Sequence, residues 1–401
     1  MGGKKRFGLL PRVLVAIVAG IACSLFFPGW AVRIFLTINS IFGNFLGLFI
    51  PVLIIGLIAP GIADLGGKAG RLLLVTVALA YVSTVLSGTL TFFTCQWIYP
   101  PLLGGMNISE TSFDMSVTLT PFFTIEMPPF ISVTSALVLA FAIGLASAAI
   151  KEKTGVLTNL REIVFLIINK AIIPVLPLYI FGIFLQMGAE GKVVTVLSIF
   201  GKVIAVILAL HILVLLLQFC TAGIVARKNP LKALKGMLPA YTTALGTQSS
   251  AATIPVTLRC AKSIGVSDGV ADFTVPMCAT IHLSCSVLKI TACAYAISLV
   301  SGLDVSAARF IGFVFMLSIT MVAAPGVPGG AIMASLGLLA SMLGFDADQQ
   351  GLMIAIYIAL DSFGTAGNVT GDGAISLIVD TLALRWGGKR STPEITENNQ
   401  I

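Results

Sequence analysis

The chain has 401 residues, of which 57% are hydrophobic and only 10% charged, a balance that excludes an ordinary soluble domain. A net charge of +7 would suggest a nucleic-acid partner in a soluble protein. In a chain this apolar it marks membrane topology instead, because positive residues gather in short loops on one side.

The first half reads as six long apolar helices. Leu9 to Phe27, Ile41 to Ile62, Leu72 to Trp97, Val133 to Ile150, Ile163 to Leu185 and Val193 to Phe219 each approach the roughly 20 residues that cross a hydrocarbon core of about 30 Å. The basic start followed by an apolar run reads as the first span rather than a cleaved signal, given the spans that follow. Lys4, Lys5, Arg6, Arg12, Lys68, Arg71, Lys151, Lys153, Arg161, Arg227, Lys228, Lys232, Lys235, Arg385, Lys389 and Arg390 all fall on one side if both termini are cytoplasmic. The loop near Glu110 and Asp114 then lies outside. The seven cysteines are scattered through apolar segments without metal-ligand spacing, and read as small packing residues.

From Leu231 onward Gly, Pro, Ser and Thr interrupt the apolar runs, as in Ala244 to Pro255 and Ala323 to Gly330. Such breaks release backbone groups that a bilayer tolerates only where the chain is buried in protein or lines a wet cavity. Each broken segment is bracketed so that it enters the membrane and returns on the same side. Residues 1–226 then hold helices 1–6, and residues 227–390 a core with hairpin 1 (about 231–262), helix 7 (about 268–300), hairpin 2 (about 305–343) and helix 8 (about 348–386). Residues 391–401 form a cytoplasmic tail. Paired interrupted segments in two halves point to a transporter binding site near the midplane.

Helix 8 carries the strongest signal. Asp361-Ser-Phe-Gly-Thr-Ala-Gly-Asn368-Val-Thr-Gly-Asp372 places two carboxylates and a carboxamide inside an apolar segment. An Asp at a helix centre costs about 2.5–3.5 kcal/mol on insertion scales, so such a carboxylate reads either as facing a cavity and binding something or as a structural Asp paired with a donor. Asn368 and Asp372 are one helical turn apart and Asp361 about two turns earlier, so all three can share a face.

Six helices, a Ser249-Ser250 hairpin, a helix, a Gly326-Val-Pro-Gly329 hairpin and an Asn368-Val-Thr-Gly-Asp372 helix resemble the dicarboxylate/amino acid:cation symporter family over nearly the whole chain. The resemblance implies an all-α integral membrane protein with eight transmembrane helices, two re-entrant hairpins and inverted repeats. It also implies a homotrimer embedded in lipid, in which a scaffold of helices 1, 2, 4 and 5 holds an elevator-type moving domain of helices 3, 6, 7, 8 and both hairpins. Na+ would be the coupling ion, held by Asp372 and Asn368 with helix-7 groups around Cys278, Thr280 and His282. Asp361 would bind a substrate's α-amino group and Asn368 its α-carboxylate. Ser249, Ser250, Ser286, Thr365 and the backbone at Gly326 and Val327 would supply further contacts.

Departures from the family pattern are equally informative. Acidic-substrate members carry an Arg where this chain has Gly364, and Gln248 replaces an Arg of the archaeal aspartate transporters. With no cation expected at either place, an acidic side chain beside Asp361 would be costly to bury. A small neutral amino acid such as serine, alanine or threonine follows as the expected substrate, and the short loops without a glycosylation-bearing domain point to a bacterial inner membrane. The alternative is a proton-coupled or acidic amino acid/dicarboxylate symporter of the same family. His282-Leu-Ser284-Cys-Ser286 stands where the family has Asn-Met-Asp-Gly-Thr. With Tyr81 and Thr84 kept but Val85 following them, a third sodium site should be absent or weak. His282 reads either as a proton carrier or as a neutral hydrogen-bonded residue. Lys289 reads either as a tethered cation or as a lysine reaching toward an interface. His211 reads as a helix-packing residue. No filter loop or charged ring suggests a channel, no nucleophile and base pair an enzyme, and no phosphate-binding loop an ATP-driven pump.

Overall fold

The computed structural model describes residues 9–66, 71–104, 119–150, 155–191, 193–322, 324 and 329–385. Outside them lie Gly326 and Val327, the acidic loop at Glu110 and Asp114, and the basic residues Lys4, Lys5, Arg6, Lys68, Lys151, Lys153, Lys389 and Arg390. The described residues are mainly helical, apart from stretches such as 119–132, with no strand among them.

The first half comprises α1 (Leu9–Ser24), α2 (Gly29–Gly66), α3 (Arg71–Leu103), α4 (Val133–Ala149), α5 (Val156–Ile167), α6 (Ile173–Ala189) and α7 (Val193–Ala226). A π-helical turn, Ile168–Ile172, joins α5 to α6. Pro174 follows it and has no N–H to give to the preceding turn, which favours a local change of hydrogen-bond register. Five helices among the described residues are long and apolar enough to cross a membrane, or six if one bent pair counts as a span. α1 and α4 have 16 and 17 residues, about 24–26 Å at 1.5 Å per residue.

The second half is built of interrupted helices. α8 (Pro230–Thr247) and α9 (Ser250–Ser263) pack against each other across a break at Gln248 and Ser249. Gln248 has φ 54°, a left-handed conformation that caps the end of α8, and the Ser249 side chain accepts from Ala252 N to start α9. These two caps satisfy backbone groups that the break would otherwise orphan. α12 (Ala307–Val322) and α13 (Gly330–Leu343) form the second packed pair.

Two further breaks fall inside segments that read as continuous in the sequence. α10 (Asp268–Ile281) and α11 (Ser284–Val300) are separated at His282 and Leu283, where His282 takes φ −102°, ψ 89°. α14 (Ala347–Ala359) and α15 (Asp361–Arg385) bend by 61° at Leu360. Neither site has a proline or glycine at the break, so the cause is tertiary.

Packing falls into two groups. α1, α2, α4, α5 and α6 contact one another, while α15 packs on α3, α7, α8, α9, α10 and α11. α12, α13 and α14 touch both. Large apolar side chains such as Leu74, Trp97, Val194 and Ile224 face outward, whereas Lys289, Asp361, Asn368 and Asp372 are buried. An apolar exterior around a polar middle inverts the soluble pattern and is what a lipid environment selects. Residues 281–298, which include the break, are all buried, so protein rather than lipid surrounds the broken middle of the α10–α11 span, as freed backbone groups require.

Candidate functional site

α15 presents its polar residues to α11 and to the break that precedes it. Asn368 Oδ1 accepts from Cys285 N at 2.8 Å and Ser286 N at 3.3 Å, and Asn368 Nδ2 donates to Ser286 Oγ at 2.9 Å. Leu283, which precedes α11, provides no side-chain cap. Asn368 therefore caps α11 from another helix, which accounts for a break that local sequence does not encode. Tyr357 OH donates to Ser286 Oγ at 3.2 Å, tying α14 into the same cluster.

One turn along α15, Asp372 Oδ1 lies 2.9 Å from His282 Nδ1. A carboxylate only accepts, so Nδ1 carries a proton; Nε2 pairs with Ser83 Oγ at 3.0 Å, accepting in the neutral ring and donating in the charged one. Gln218 Nε2 donates in turn to Ser83 Oγ and Ser284 Oγ, each at 3.0 Å. The chain Gln218, Ser83, His282, Asp372 gives both ring nitrogens a partner and holds the imidazole against the carboxylate. Gly371 allows this approach, since a Cβ there would meet His282 Cε1 at 2.8 Å and Gln218 Oε1 at 2.7 Å. A cavity of ≈ 410 Å³ between α3, α7 and α15 has Ser83 and Gln218 in its mainly apolar lining.

The third cluster surrounds Asp361. Its Oδ2 accepts from Gly329 N at 2.8 Å, the residue preceding α13, and its Oδ1 lies 3.6 Å from Lys289 Nζ. Lys289 Nζ also donates to Leu360 O at 3.2 Å and sits 3.9 Å from the centre of the Tyr357 ring. A Cβ at Gly364 would collide with Lys289 Nζ and Cε. The space at Gly364 is thus filled by a cation from α11, which corrects the expectation that no compensating positive charge arises there. Lys289 does not reach an interface; its side chain is 1% exposed.

The remaining candidates divide. Cys278 is buried against α15 beside Ile375 and Val379, with its carbonyl accepting from His282 N at 2.9 Å. Thr280 is exposed and donates to Met277 O, so its hydroxyl does not join Asp372. Thr365 is buried and donates to Asp361 O at 3.0 Å. Ser250 is buried at the start of α9, and both α8 and α9 pack on α15. His211 is buried with its ring 5.8 Å from that of Tyr241, and its Nε2 has no hydrogen-bond partner among the described residues. Thr84 donates to Ala80 O within α3. Ser83 and Gln218 escaped the sequence reading. A carboxamide in the strongly apolar α7 was the available signal for Gln218, while one serine among several in α3 carried none.

Side chains that donate, accept and carry charge in a buried middle, on helices broken around them and inside an apolar exterior, define a multi-pass membrane protein with a polar interior. A family model described as "Sodium:dicarboxylate symporter family" matches residues 9–382. The chain belongs to this family of multi-pass membrane transporters, and it is not an enzyme. It is 35% identical to mouse "Excitatory amino acid transporter 3" over 181 residues, 44% of this chain and 34% of that protein. It is 27% identical to a Caenorhabditis elegans "Excitatory amino acid transporter" over 259 residues, 62% of this chain and 50% of that protein. The matched regions thus span a third to a half of these relatives. An Acinetobacter baumannii "Serine/threonine transporter SstT" is 26% identical over 398 residues, 94% of this chain and 97% of that protein.

Proposed function

We propose that the protein couples Na+ entry to the symport or exchange of a small neutral amino acid, with serine, threonine and alanine as first substrates. The observation that carries the reading is the polar face of α15. Asp361, Asn368 and Asp372 are all buried on one helix, against a second helix that is itself broken beside them. Asp361 takes the substrate ammonium, Asn368 and the α9 serines its carboxylate, and Asp372 with carbonyls freed near Cys278 and His282 the cation. The near full-length match to a serine/threonine transporter supports the neutral substrate.

The two packing groups support an elevator, with α1, α2, α4, α5 and α6 as scaffold and α3, α7 and the broken helices as the moving part. The assembly is a homotrimer in a bacterial inner membrane with cytoplasmic termini. One observation favours the second reading of an acidic substrate: Lys289 Nζ, seated against Gly364, offers the positive charge that an acidic side chain needs.

Uptake and counterflow in proteoliposomes with an amino acid panel, with and without Na+ and pH gradients, separate these readings. Na+-driven serine or threonine uptake is expected. Aspartate or glutamate preference establishes the acidic reading, and uptake driven by pH alone and lost in His282→Ala establishes proton coupling. No amino acid transport under any gradient refutes the proposal.

A further inference from the structure

Lys289 is a buried cation with no place in the neutral-substrate scheme above. It rises from α11 to meet Asp361 Oδ1 at 3.6 Å, while Asp361 Oδ2 holds Gly329 N at 2.8 Å. One carboxylate therefore ties a cation on α11 to the start of α13, at the tip of the second helix pair. A carboxylate buried without a counter-charge is strongly unfavourable, because its lost hydration is not replaced. A carrier that returns through the membrane without substrate faces that problem at Asp361.

The contact is also built to be released. At 3.6 Å it is longer than the roughly 2.7–2.9 Å of a charge-assisted hydrogen bond. The four-carbon stem of lysine lets the ammonium shift. In the same position the ammonium is also held by Leu360 O at 3.2 Å and by the Tyr357 face at 3.9 Å, contacts that do not depend on Asp361 and can keep it when a substrate ammonium takes the carboxylate. Gly364 leaves the room in which the ammonium lies.

We propose that Lys289 is a tethered counter-cation for the empty carrier: its ammonium occupies Asp361 when no substrate ammonium does, so the carrier closes and returns without a cation bound from solution. The inference rests on reading Asp361 as the substrate's ammonium seat. It has a consequence for transport mode. Exchange, in which the carrier crosses loaded both ways, does not need Lys289. Net transport, which includes an empty return, does.

The test compares net uptake with counterflow in proteoliposomes, using the amino acid that gives the fastest wild-type counterflow. For the wild type, replacing K+ inside the vesicles by N-methyl-D-glucamine should change net uptake by less than about twofold, because the internal cation is covalent. Lys289→Met should keep counterflow within about threefold and lower net uptake at least about tenfold with N-methyl-D-glucamine inside, since Asp361 then returns uncompensated. Small alkali cations inside should restore part of it. Wild-type net uptake that depends on a small internal cation overturns the proposal, and this arm stands even if the variant does not fold. Parallel loss of both modes in a monodisperse Lys289→Met protein, or loss of neither, overturns it too. A wild type that moves no amino acid in either mode refutes the functional reading instead.

Discussion

Gly364→Ala sets two opposing effects against each other, and their balance tests where Lys289 lies. In an unobstructed helix interior alanine is about 1 kcal/mol more favourable than glycine. At position 364 the added Cβ would collide with Lys289 Nζ and Cε and come within 3.2 Å of its Cδ. Relief requires the lysine to move, because the atom it strikes belongs to a flexible side chain while the helix backbone is fixed. Moving it gives up the bond to Leu360 O and the contact with Asp361, a charged hydrogen bond of about 1.5–3 kcal/mol. It also forces an off-rotamer stem at about 0.5–1.5 kcal/mol. Subtracting the propensity gain leaves a net destabilisation of about 1–3.5 kcal/mol.

Thermal unfolding of the purified protein in detergent reads the sign. Gly201→Ala serves as control, since it lies within α7 with nothing within 4 Å of its added Cβ and should not destabilise. In a Lys289→Ala background the cost of Gly364→Ala should vanish, because contacting residues couple. A Gly364→Ala protein as stable as wild type, or an equal cost in both backgrounds, refutes the placement of Lys289 over α15.

Other substitutions address the rest of the site. Asn368→Ala removes the acceptor of Cys285 N, while Ser286 N keeps Leu283 O, and should destabilise by about 1–3 kcal/mol through one buried unpaired amide, measured by thermal unfolding. Asn368→Asp keeps the acceptor and should recover part of that loss. Asp372→Asn should abolish stimulation of uptake by Na+, with residual exchange read by counterflow. Ser83→Ala leaves His282 Nε2 and one Gln218 N–H without their shared partner, and should destabilise by about 1–3 kcal/mol. If His282 is a held neutral residue, Ser83→Ala and His282→Ala in combination should cost less than the sum of the two, as members of one network do.

The membrane character, the break at Ser249, the interrupted stretch before Gly329 and the polar face of α15 were legible in the sequence. These follow from local composition: apolar length, helix-breaking residues, and polar groups at helical spacing within a lipid-length segment. The roles of Asp361, Asn368 and Asp372 were expected from residue type and resemblance, and the structure buries all three. It also gives Asn368 a task that residue type did not suggest, since its carboxamide caps a helix 82 and 83 residues distant in sequence.

What only the tertiary structure decided is which groups meet. The breaks at His282 and Leu360 carry no glycine or proline. At least the first is held by long-range bonds, from Asn368 to the start of α11 and from Asp372 to His282, that no sequence window contains. Ser83 and Gln218 matter only because α3 and α7 pack beside the broken helix. Gly364 shows the difference most clearly. The sequence determines that no side chain projects there, and an absent arginine read as an absent charge. Charge belongs to a point in space rather than to a position in the chain, and close packing at a glycine lets Lys289, 75 positions earlier, occupy that point.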